Sequence, residues 1–123
     1  MTSPKILLVD DEKDLVYAIK LQLEGNHFDV VTAYDGHEAL EKVRRDKPDL
    51  IILDLMLPKV DGYKVCRMLK FDEKYKKIPI VMLTSRAQES DKKLGFEVGA
   101  NSYITKPFEP KLLLDKIHEL LKN

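Results

Sequence analysis

Three stretches of the chain, Ile6–Val9, Leu50–Leu53 and Ile80–Leu83, are wholly apolar for four residues and rich in β-branched side chains. Runs of this length, bounded by turn-forming residues, predict strands buried on both faces, as in a parallel sheet covered by helices. Two further strands rest on weaker patterns: Phe28–Ala33 alternates only in part, and Ser102–Thr105 is short and polar enough for an edge. Between them apolar residues recur at helical spacing. The groups are Leu15, Ala18, Ile19 and Leu23; Ala39, Leu40 and Val43; Val65, Cys66 and Leu69. A shorter segment comes next at Leu94, Phe96 and Val98, and a clear final one at Leu112, Leu113, Ile117, Leu120 and Leu121.

Punctuation supports this division. Pro48 and Pro79 precede two strands, Gly25 and Gly99 stand where helices should end, and Asp35-Gly36 and Asp61-Gly62 stand where helices should begin. Five βα units with short connections predict an α/β fold, a doubly wound parallel five-stranded sheet with helices on both faces and right-handed crossovers. The 123 residues are expected to form one domain, 1–123, with no linker or low-complexity tract.

The residues just past each apolar run point to chemistry. Ile6–Val9 leads into Asp10-Asp11, Leu50–Leu53 into Asp54, Ile80–Leu83 into Thr84-Ser85, and the last strand into Lys106-Pro107. In an open α/β sheet, ligands bind beyond the carboxyl ends of the strands where the strand order reverses, so these polar residues are expected to share one pocket. Three carboxylates about 4 Å apart repel by a few kcal/mol per pair at an effective dielectric of about 20. One lysine does not offset that, and the site calls for a hard divalent cation such as Mg²⁺. Taken alone, Asp-Asp-Glu after a strand is equally well a helix N-cap.

Composition narrows the classes. Lys and Arg number 21 and Asp and Glu 21, interspersed along the chain. This balance argues against direct nucleic acid binding, which needs clustered basic residues. The lone Cys66 makes no internal disulfide, apolar runs fall far short of a membrane span, and the first residues show no signal-peptide pattern. A cytoplasmic protein without membrane contact is therefore expected. His27, His37 and His118 lack metal-ligand spacing, and Cys66 reads as a core thiol. No Gly-rich loop comes after the first strand, which excludes P-loop and dinucleotide sites.

Taken together, these residues resemble the receiver domain of two-component response regulators. The likeness is carried by Asp10-Asp11 in Leu-Val-Asp-Asp-Glu, Asp54 in Leu-Asp-Leu-Met-Leu-Pro, Asp61-Gly62, Thr84 in Met-Leu-Thr-Ser-Arg, Gly99-Ala100, Tyr103 and Lys106-Pro107-Phe108, and it covers the whole chain. It implies a flavodoxin-like strand order 2-1-3-4-5 and a cis peptide at Lys106-Pro107. By the same resemblance, Asp54 is the phosphoacceptor for a kinase phosphohistidine, and Asp10, Asp11, Asp54 and the Met56 carbonyl hold Mg²⁺. Lys106 and Thr84 then contact the phosphoryl group. Thr84 and Tyr103 form a switch that alters the surface of the fourth helix, fifth strand and fifth helix.

The implied partners are a sensor histidine kinase or phosphotransfer protein, with Leu15 and Ala18 as docking candidates, and a downstream output protein or output domain. Leu15 and Ala18 read equally well as part of the core stripe. Met56 and Arg86 flank the pocket entrance, and a thioether at Met56 implies slow self-dephosphorylation. Two other readings compete: a non-phosphorylated pseudo-receiver acting as an interaction module, and a small-molecule phosphatase with an Asp nucleophile. Such phosphatases use Asp-x-Asp, whose second position here is Met56 and supplies no acid.

Overall fold

A computed structural model of the chain describes residues 3–85 and 99–122. Its elements are β1 (Lys5–Val9), α1 (Lys13–Glu24), β2 (Asp29–Ala33), α2 (Gly36–Asp46), β3 (Leu50–Asp54), α3 (Gly62–Lys70), β4 (Ile80–Thr84), β5 (Ser102–Thr105) and a final helix α4 (Pro110–Leu121). The helical pattern at Leu94, Phe96 and Val98 lies outside the described residues. The strands form one parallel sheet in the order β2-β1-β3-β4-β5, as predicted.

The three apolar runs became the central strands. Every residue of β3 and β4 is buried, whereas the edge strands β2 and β5 are covered only in part. Because side chains alternate across a strand, the sheet feeds two layers. Ile6, Leu8, Ile52 and Leu83 pack with Ile19 of α1 and Leu113 of α4. Leu7, Val9, Leu53 and Met82 pack on the other face with Val43 of α2 and Val65 of α3. Fully burying one such Leu or Ile stabilises the fold by about 1.5–3 kcal/mol. No helix of the described residues is long and apolar enough to cross a membrane.

Two helices turn a slightly different face inward than their spacing suggested. In α1 the buried residues are Val16, Ile19 and Leu23, while Leu15 is half-buried and Ala18 exposed. The α1 sequence is apolar on nearly every side, Tyr17 and Leu21 included, so periodicity alone does not locate the centre of the stripe. In α4, Leu113 and Ile117 are buried, while Leu112 lies off the apolar face that they share and is exposed. Helix starts match more closely. Asp35 accepts a hydrogen bond from the Glu38 N–H at 2.8 Å, and Asp61 one from the Lys64 N–H at 2.9 Å.

Chain direction fixes where the candidate site residues gather. From β1 the sheet grows one way to β2 and the other way to β3, β4 and β5, so the reversal falls between β1 and β3.

Candidate functional site

Val9 lies opposite Leu53 in the β1–β3 register. Asp10, one residue past β1, is therefore level with Asp54, the last residue of β3. Thr84 ends β4 opposite Thr105, and Lys106 comes directly after. Asp10 and Thr84 are fully buried, Asp54 is 5% exposed, and Asp11 faces solvent. One oxygen from each of Asp10, Asp11 and Asp54 lies within 4.8 Å of the others.

Buried carboxylates need partners. Lys106 Nζ donates to Asp10 Oδ2 at 2.6 Å and stands 3.6 Å from Asp54 Oδ2. Asp10 Oδ1 accepts the Glu12 N–H at 2.9 Å, and Asp54 Oδ1 accepts the Met56 N–H at 3.2 Å. Glu12 is the N-cap of α1, but its side chain makes no cap. The Glu12 carboxylate lies 3.5 Å from Lys106 Nζ. It was not among the predicted site residues, although its place in Asp-Asp-Glu was the available signal.

Burial, and then the charge of Asp10, push the Asp54 carboxyl up to about 6, against the pull of Lys106 and the Met56 N–H. For Lys106, burial opposes the charge most strongly. The Asp10 hydrogen bond and the charges of Asp54, Asp10 and Glu12 together outweigh it and raise the ammonium above the usual lysine range. Among the described residues of the site, acid remains in excess. Like charges about 4 Å apart repel by about 4 kcal/mol at a dielectric of about 20, and an all-oxygen set of this kind suits a hard cation.

Backbone packing holds the Asp54 end of β3 in place. A Cβ on Gly62 would stand 2.2 Å from the Asp54 carbonyl oxygen, so only glycine lets α3 begin against the end of β3. The Lys106-Pro107 peptide is cis.

The other predicted residues occupy the rim and the layers behind it. Met56 is exposed and shares a hollow with Asp11, Pro58 and Asp61. Tyr103, half-buried opposite Met82, packs on the α2–α3 layer. Leu15 and Ala18 line a groove of about 580 Å³ with Gln22, Pro107 and Phe108. Arg86 lies outside the described residues. His27, His37 and His118 are all exposed. Cys66 is fully buried, which pushes its thiol up to about 11.

Comparison with known proteins agrees with this geometry. A family described as the response regulator receiver domain matches residues 6–118. The alkaline phosphatase synthesis transcriptional regulatory protein of Bacillus subtilis is 48% identical over 118 residues, 96% of this chain and 48% of that protein. The chain thus spans about half the length of the curated relatives it matches. A crystal structure of a putative response regulator from Chloroflexus aurantiacus superposes with a TM-score of 0.94 at 36% identity, covering 100% of both chains. The receiver domain of the sensor histidine kinase PA1611 from Pseudomonas aeruginosa has a TM-score of 0.91 at 29% identity, covering 99% of this chain and 100% of that one. That structure has a magnesium ion coordinated in its active site cleft. Family match, fold and strand-end residues agree, and the chain belongs to the receiver domain family of two-component response regulators.

Proposed function

We propose that this receiver domain is a Mg²⁺-dependent phosphoacceptor switch, with Asp54 as the residue that takes the phosphoryl group. The observation that carries this reading is Asp54 itself: a nearly buried carboxylate at a strand end, 3.6 Å from Lys106 and grouped with Asp10 and Asp11. In the transfer, the bond from phosphorus to the donor imidazole nitrogen breaks as a bond to an Asp54 carboxylate oxygen forms. Lys106 neutralises charge on the incoming group as a point charge, and the Thr84 hydroxyl donates a hydrogen bond to it.

The residues present fit Mg²⁺. Asp10, Asp11 and Asp54 with the Met56 carbonyl would hold it, and when bound it offsets the charge that gathers on a transferring phosphoryl group. The magnesium ion in the cleft of the PA1611 receiver supports the same assignment. Thr84 at the end of β4 and Tyr103 on β5 form the switch, shifting a pre-existing equilibrium between two surfaces.

The donor is a sensor histidine kinase or phosphotransfer protein. Its phosphohistidine helix is expected in the groove beside Lys106, against Leu15, Ala18 and Phe108. Output passes to a downstream protein or domain. Because the Met56 thioether orients no attacking water, the phosphorylated protein should lose its label over minutes in Mg²⁺ buffer, and complete loss within seconds contradicts this. Incubation with Mg²⁺ and acetyl phosphate tests the reading as a whole. One phosphoryl group of added mass is expected on the native protein and none on Asp54→Asn. Equal labelling of both, or no labelling of the native protein, overturns it.

A further inference from the structure

The β3–α3 connection, residues 55–61, carries Met56, and two helix starts close on it. The first residue of α3, Gly62, donates its N–H to the Leu55 carbonyl at 2.9 Å. The first residue of α2, Gly36, reaches the middle of the loop and donates to the Pro58 carbonyl at 3.3 Å. The first N–H groups of a helix have no intrahelical partner and carry the positive end of its dipole, so a loop carbonyl is a favourable acceptor for each. Neither glycine has room for a side chain. A Cβ on Gly36 would stand 2.0 Å from the Val60 carbonyl oxygen.

Side chains reinforce the contact. Lys59 takes a φ of 69°, in the left-handed region that disfavours a residue with a side chain. Its ammonium lies 3.6 Å from Asp35 Oδ2, so the residue that caps α2 also draws on the loop. Leu57 and Val60 pack on the α2–α3 layer from the same segment. The Asp-Gly pair thus occurs at two helix starts, and both grip the loop that joins Asp54 to α3.

We propose that Gly36, together with Asp35 acting through Lys59, is a positioning element for Mg²⁺ binding. It fixes the loop so that the Met56 backbone stays beside Asp54, to which the Met56 amide donates at 3.2 Å. The inference rests on the proposed function, in which the Met56 carbonyl joins the three aspartates around the metal. A methyl group at position 36 meets backbone rather than the yielding end of a side chain, so the Val60 carbonyl must move. That displacement passes back along the loop to Met56.

Mg²⁺ titration followed by backbone amide NMR tests this on the native protein, Gly36→Ala, Asp35→Ala and Val43→Ala. Gly36→Ala is expected to weaken Mg²⁺ binding by about tenfold or more, the usual effect of losing support behind a metal ligand. It should also shift the Met56 amide resonance and speed its hydrogen exchange before any metal is added. Asp35→Ala moves both readouts the same way by less. Val43→Ala opens a cavity in the same core layer away from the loop and should lower the melting temperature with the dissociation constant unchanged. An unchanged affinity in Gly36→Ala, or an equal loss in Val43→Ala, overturns the proposal. If Gly36→Ala does not fold, Asp35→Ala against Val43→Ala decides by the same comparison. Failure of the native protein to bind Mg²⁺ would refute the metal reading instead, and Met56 amide exchange in the metal-free variants would still report on the clamp.

Discussion

An ionised carboxylate held out of water beside a second carboxylate destabilises the fold around it, and Asp54 is in that position. Its folded value of about 6 lies above the ordinary 3.8, so between those values the folded chain binds a proton that the unfolded chain does not. Stability is then fully present below the ordinary carboxylate range and is lost as pH rises through about 6. Asp54→Asn removes that loss. In metal-free buffer at pH 8 the variant should melt several degrees above the native protein, a gain of about 2–3 kcal/mol, and the gap should close at pH 4. Mg²⁺ at pH 8 narrows it from the other side by binding the native protein. Equal melting temperatures without metal at pH 8 would contradict this electrostatic account. Cys66 gives a second test at this scale. Buried and with its thiol pushed up to about 11, it should react with a thiol reagent at pH 8 only after denaturant is added.

Among the elements, the central strands were the most legible in sequence, because a strand covered on both faces tolerates only apolar residues, and Leu50–Leu53 and Ile80–Leu83 show nothing else. The inward face of α1 was less legible, since a helix apolar on nearly all sides carries no clear phase. The convergence of residues on the site was also legible, because a parallel sheet brings the ends of β1, β3, β4 and β5 to one edge. The grip of Gly36 on Pro58 and Val60 was not. Contacts between two backbones leave no side-chain pattern to read, and the glycine alone marks the place. The caps themselves can be checked separately. The Glu38 N–H beside Asp35 holds its carboxyl below the usual range, so its contribution is present above that range and is lost as pH falls through the folded value. Asp35→Ala should cost about 1 kcal/mol in denaturant unfolding at pH 7, with a smaller difference in acid.

At the scale of the molecule, 21 basic and 21 acidic residues balance, yet the balance is not local. Asp10, Asp11, Glu12 and Asp54 gather at one end of the sheet with Lys106 as the cation that contacts three of them. The fold builds an acidic pocket at the point of strand reversal, and the proposed function comes from filling it first with a cation and then with a phosphoryl group. The central claim is chemical and specific to one residue: an acyl phosphate forms on Asp54. Borohydride reduces an acyl phosphate on aspartate to homoserine, which marks the position permanently in the sequence. After treatment with Mg²⁺ and acetyl phosphate, then borohydride and peptide mass mapping, homoserine is expected at position 54 alone and only when Mg²⁺ was present. Homoserine at Asp10 or Asp11, or at no position, would contradict the account.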